Sequence, residues 1–122
     1  MELYALPDRL TVCKLPTVQE VDLSRPFFFL SCAMGEISLV CRSGDTPENT
    51  IAREDGWKGF RVTGTLAFSQ TGILAGLTKT LAEARIPVFA VSTFDTDYLL
   101  VKEAFFAPAR EAWEKAGHII RT

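Results

Sequence analysis

Between residues 60 and 101 the spacing of apolar positions changes twice. Phe60, Val62, Leu66 and Phe68 alternate with Arg61, Thr63, Thr65 and Ala67, a period of two that predicts a strand. Gly64 falls in line with the apolar set, where a missing side chain lets a neighbour approach closely. From Ile73 the period lengthens. Ile73, Leu74, Leu77, Leu81 and Ala84 share one helical face, and Lys79, Glu83 and Arg85 fall largely off it. Ser69, Thr71 and Gly72 mark the helix start, with Thr71 as the N-cap. Pro87 cannot continue a helix, so a strand over 88–94 follows. Asp95 and Thr96 make a turn, and residues 98–102 return antiparallel. The unit reads β-α-β-β.

The flanking stretches extend it. Residues 1–7 carry few signals and read as a short extended lead. Residues 10–15 are strand-like, with Leu10, Val12 and Lys14 alternating against Thr11, Cys13 and Leu15, and Pro16 closes them. Residues 17–23 are compatible with one helical turn or with irregular chain. Pro26 introduces a dense apolar run, and residues 36–42 form the next strand, joined to it by a tight connection at Met34 and Gly35. Residues 43–56 are the most polar stretch. They accommodate a short helix capped by Asp45 or Thr46 with Pro47 in its first position. After Lys102, residues 107–116 read as a helix with Trp113 on its apolar face. Gly117 stops that helix, and residues 118–121 suffice for a last strand. The predicted class is α+β. The C-terminal half, 57–122, has the ferredoxin-like β-α-β-β-α-β order, preceded by a smaller, degenerate ferredoxin-like half over 1–56.

Composition narrows the function classes. The chain has 122 residues, room for one domain or two small units sharing a core. A net charge of −2 offers no basic field for a phosphate backbone or anionic lipid. No apolar run approaches the ~20 residues that span a bilayer, and the first ten residues lack the charged start and apolar core of a secretion signal. Cys13, Cys32 and Cys41 make an odd count without C-x-x-C spacing. That argues for reduced thiols rather than disulfides or a zinc site, so the expected compartment is the cytoplasm, with no cofactor and no metal.

Two stretches carry candidate chemistry. At Thr71, Gly72 and Ile73 a strand leads into a helix whose first amides have no internal partners, which suits a carboxylate or phosphate. Gly72 leaves those amides unshielded, and Gly72→Val is expected to crowd them with only a modest helix-propensity loss. The second stretch holds Ser92, Thr93, Asp95 and Asp97. Its carboxylates suit an ammonium or guanidinium group. Each stretch has a plainer reading, as a capped helix start and as ordinary turn residues. Together, an anion end and a cation end suit a free amino acid. Enzyme motifs are missing: the single histidine, His118, lies beside an apolar strand, and there is no phosphate loop, zinc-protease helix or nucleophile elbow. Phe27, Phe28, Phe29, Phe105 and Phe106 read as core, not as a base-stacking platform.

The run Thr71, Gly72, Ile73, Leu74, Ala75, followed by VSTFDTDYLLV at 91–101, resembles the ACT-domain proteins. It is most similar to the small branch near the CASTOR arginine sensors and aspartate kinase regulatory domains. The resemblance covers residues 57–122. It implies a non-catalytic regulatory module that holds a small ligand, usually an amino acid, at an interface between ACT units. Gly72 and Ile73 would offer amides to the ligand carboxylate. Ser92, Thr93 and Asp97 would line the other side, with Asp97 toward a positive group. The length leaves no room for a fused enzyme domain, and a stand-alone form leaves the output open, with a regulated protein partner as one candidate. Paired ACT units and open sheet edges point to a homodimer. The alternative is an assembly or dimerisation module with no small ligand.

Overall fold

The computed structural model describes residues 1–63 and 71–122. The expectations for Gly64, Thr65, Leu66, Ala67, Phe68 and Ser69 lie outside the described residues. The elements in chain order are β1 (Glu2–Leu15), β2 (Phe28–Ala33), β3 (Glu36–Arg42), β4 (Ala52–Val62), α1 (Ile73–Glu83), β5 (Phe89–Ser92), β6 (Asp97–Lys102), α2 (Phe106–Lys115) and β7 (Ile119–Arg121). They form two compact units, Met1–Pro7 with Lys58–Thr122, and Asp8–Trp57.

In the first unit the strand order is β7-β1-β4-β6-β5. The succession β4-α1-β5-β6-α2-β7 is the ferredoxin-like order read from the sequence. One strand is added to it. The start of β1 lies between β7 and β4: Leu3 pairs in parallel with Ile120, and the Thr63 amide donates to the Glu2 carbonyl at 2.9 Å. All but the first of residues 1–7, expected as an extended lead, are therefore part of a 14-residue strand that begins at Glu2. Their period-two signal is faint because the inward set is Leu3 and the small Ala5, cut short by Pro7.

The core of this unit joins sheet and helices. Leu3, Phe60, Val62, Leu99 and Val101 meet Leu77 and Leu81 of α1 and Ala109 and Trp113 of α2. Phe60 sits at the centre, stacked on Phe106 at 5.0 Å and edge-on to Trp113 at 4.9 Å. Each fully buried large apolar side chain contributes roughly 1.5–3 kcal/mol, so this cluster dominates the unit's stability.

Both helices end in the same hydrogen-bond pattern. After α1 the Ile86 amide reaches Leu81 O at 2.9 Å and the Arg85 amide reaches Ala82 O at 3.0 Å, with Arg85 left-handed at φ 59°. After α2 the His118 amide reaches Trp113 O at 3.0 Å and the Gly117 amide reaches Glu114 O at 3.1 Å, with Gly117 at φ 95°. These are Schellman closures, and Gly117 is the residue type the second one favours. At the first, the chain turns at Arg85, two residues before the expected stop at Pro87.

The second unit is built from strands. β2 and β3 form a hairpin whose two-residue loop is Met34 and Gly35, at φ 52° and 77°. Two left-handed residues match the twist of a hairpin, as the tight connection requires. β3 pairs antiparallel with β1, Cys13 opposite Leu39, and on the other side the Ile51 amide donates to Lys14 O at 2.8 Å. Cys13, Leu15, Leu39 and Cys41 make a small core, with Val21, Phe28, Leu30 and Ile37 against it. The helix expected within 43–56 does not form. Ser43–Asp45 is a single 3-10 turn, closed by the Thr46 amide and hydroxyl on Ser43 O. Residues from Ala52 onward are drawn into β4 instead. Residues 17–23 take the irregular alternative, as turns.

Candidate functional site: a glycine-led helix start and an acidic hairpin

Gly72, not Thr71, is the N-cap of α1. It adopts φ 80°, and no side chain caps the helix. Threonine caps from an extended backbone. Here a left-handed residue makes the entry, so Thr71 lies outside the helix, exposed. The first helical bond runs from the Gly76 amide to Gly72 O at 2.9 Å, leaving the amides of Ile73, Leu74 and Ala75 without intrahelical acceptors. The Ile73 side chain is half-buried against the core, which fixes the first turn. Nothing lies within 4 Å of where a Cβ on Gly72 would be, so the helix end opens outward.

The second group is organised by strand register. Ser92 at the end of β5 lies opposite Asp97 at the start of β6, and its hydroxyl donates to Asp97 Oδ1 at 2.6 Å. Thr93 closes the turn: its amide and hydroxyl both donate to Thr96 O, at 2.9 and 3.0 Å. Phe94 and Asp95 form the exposed tip, and Phe94 is 77% accessible. Thr96, which sequence reasoning treated as a turn residue only, is 2% exposed. Its hydroxyl donates to Val62 O at 2.8 Å. Val62 ends β4, the strand from which the chain proceeds to Gly72. The only local signal for Thr96 was its place between two aspartates, which points outward and not to burial.

Four predicted residues are thus gathered on one hairpin: Ser92, Thr93, Asp95 and Asp97. Thr71, Gly72 and Ile73 are gathered at one helix end. Among the described residues no hydrogen bond joins the two groups.

Elsewhere, Cys13 and Cys41 are buried and Cys32 is exposed, all as free thiols. Burial, and then the neighbouring Cys41, push the Cys13 thiol up to about 11. Burial likewise raises Cys41, partly offset by its contact with Thr46. His118 Nδ1 lies 2.9 Å from the Met1 amine. Burial first, and that amine second, hold its pKa below the usual histidine value. No group of three or more His, Cys, Asp or Glu among the described residues is placed to hold a metal. No described helix is long and apolar enough to cross a membrane. Phe27 to Phe29, Phe105 and Phe106 are half-buried. Phe105 and Phe106 pack against the core of the first unit, Phe28 packs against that of the second, and Phe27 meets Phe29 edge-on at 4.9 Å.

A family profile described as the ACT domain matches residues 52–115, a span that contains both the helix start and the hairpin. The chain belongs to the ACT domain family. ACT domains are regulatory, ligand-binding and non-catalytic. Among solved structures, a protein from Agobacterium tumefaciens is similar at 28% identity and TM-score 0.86, over 98% of this chain and 90% of that one. A protein of unknown function from Vibrio cholerae is similar at 15% identity and TM-score 0.73, over 93% and 88% of the two chains. Aspartate kinase from Synechocystis is similar at 16% identity and TM-score 0.69 over 99% of this chain, which spans 27% of the kinase. The last two likenesses are of fold alone.

Proposed function

We propose that this protein is a non-catalytic regulator that binds a free amino acid, with the ligand carboxylate at the start of α1 and its ammonium group at the β5–β6 hairpin. The observation that carries this reading is the Ser92–Asp97 hydrogen bond on a hairpin seated at the end of β4. Ser92 orients one oxygen of Asp97, and a carboxylate accepts more donors than one hydroxyl supplies. The amides of Ile73 and Leu74, behind a glycine that presents no side chain, are the matching anion end. Thr93 and Asp95 line the hairpin side, and Thr71 borders the helix end.

In this reading the ligand sits at an interface between ACT-like units of a cytoplasmic homodimer, and the signal passes to a regulated protein partner. β5 ends the strand order among the described strands, an edge that a second copy could cover. The test is a thermal-shift screen of the free amino acids. A ligand at ~100 times its Kd adds about 2.7 kcal/mol of stability. A clear upward shift with one amino acid is expected. Shifts with none, in a protein that is dimeric by sedimentation, would instead favour a pure assembly module.

A further inference from the structure

We infer that Thr96 is the positioning residue of this site: its buried hydroxyl, bonded to Val62 O, sets where the acidic hairpin stands relative to the strand that leads to the glycine-led helix start. The inference rests on the amino-acid-binding reading above. Thr96 touches no ligand in this account and acts through Asp97 and Thr93.

Three observations converge. Thr96 and Thr11 are the buried polar residues of the described core, and Thr96 is the one on the candidate site. Its hydroxyl is spent on a backbone carbonyl of another strand, 2.8 Å away and 34 residues distant in sequence, rather than on its own turn. Its backbone carbonyl accepts twice from Thr93, and its amide lies 3.4 Å from Thr93 Oγ1. A two-residue tip of Phe94 and Asp95 held only by its own turn would rock about β5 and β6. β6 already lies beside β4 in the sheet, and the Thr96–Val62 bond carries that attachment past Asp97 to the turn itself. Asp97 follows Thr96 directly, so displacement of Thr96 moves the carboxylate. Burial also makes the bond expensive to break, because Val62 O would be left without this donor.

The tests are Thr96→Val, which keeps the shape and removes the hydroxyl, and Thr96→Ser, which restores the hydroxyl alone. Affinity for the amino acid that stabilises the wild type is measured by calorimetry well below each variant's melting temperature. Thr96→Val is expected to weaken binding by about tenfold or more, the scale on which loss of a supporting partner behind a ligating group is felt. Thr96→Ser is expected to bind like the wild type. A purely structural role would lower the melting temperature of Thr96→Val and leave its Kd unchanged, which overturns the inference while the binding reading stands. Hydrogen exchange on the wild type covers the case in which Thr96→Val does not fold. The Thr93 amide is expected to exchange slowly and to slow further with ligand; exchange at the rate of an exposed loop overturns the inference. If no amino acid binds the wild type, the binding reading fails, and slow Thr93 exchange then shows a hairpin anchor without the positioning role.

Discussion

The indole of Trp113 donates to the carbonyl of Leu77 at 3.0 Å, tying α2 to α1 through a buried polar contact. Trp113 is fully buried and its ring meets Phe60 edge-on. Helix α1 therefore reports on α2, and both rest on β4. Trp113→Phe keeps an aromatic ring but loses the donor and some volume, and is expected to cost ~1–3 kcal/mol. Trp113→Ala is expected to cost ~3–5 kcal/mol. Urea denaturation with an unchanged slope checks both. A loss below ~0.5 kcal/mol for Trp113→Ala would show that the unit's core lies elsewhere.

Arg85 occupies the left-handed position of a Schellman closure at φ 59°. A residue with a Cβ is strained there, and glycine is not. Arg85→Gly should raise stability by ~0.5–1 kcal/mol, since the exposed side chain gives up little. A destabilised variant in thermal denaturation would mean that the arginine makes contacts worth more than the strain.

Gly72 at φ 80° behaves in the opposite sense. The space around a Cβ is open, so the cost of a substitution is backbone strain rather than collision. Gly72→Val should lose ~1–2 kcal/mol or more, beyond the modest propensity loss expected from sequence alone, because a β-branched residue resists this conformation. Gly72→Asn should lose less, since asparagine tolerates the left-handed region. Equal losses in chemical denaturation would refute the backbone origin. For ligand work, Gly72→Asn is accordingly the better-behaved variant.

The thiols should separate by accessibility. Cys32 is exposed and should react promptly with a thiol reagent at pH 8, while Cys13 and Cys41 stay protected until unfolding. Cys13 also predicts a pH dependence. Its folded pKa, about 11, lies above the ordinary value of 9.0. The unfolded chain therefore loses this proton first as pH rises. The stability that Cys13 contributes is complete below pH 9 and is lost as pH climbs through 11. Cys13→Ala should flatten that part of the stability profile relative to the wild type. An unchanged slope would assign the alkaline loss to other groups.

Much of the first unit was legible because its signals are local. The change of period at Ile73, the stop near Pro87 and the glycine after α2 each act within a few residues, and α1, the β5–β6 hairpin and α2 follow them closely. The first strand was harder. Leu3 and Ala5 take their meaning from Ile120 and Phe60, contacts more than fifty residues away in sequence. The polar stretch before β4 had the caps of a helix, but pairing with β1 claimed its later residues. At the candidate site the sequence shows which residue types stand on the helix start and the hairpin, and does not show what holds them in place. Nothing near Thr96 announces a bond to Val62, and the φ of Gly72, which displaces the cap from Thr71, depends on how the chain enters the helix.

The amino-acid-binding account turns on Asp97. The direct measurement is a calorimetric titration of the wild type and Asp97→Ala, using the amino acid that gives the largest thermal shift and its hydroxy-acid counterpart, which lacks the ammonium group. The account predicts that the wild type binds the amino acid and prefers it to the hydroxy acid. Asp97→Ala should lose ~1.5–3 kcal/mol of affinity for the amino acid, roughly ten- to hundredfold, and little for the hydroxy acid. Equal affinity of wild type and variant for the amino acid, or no wild-type binding of any amino acid at millimolar concentration, would contradict it.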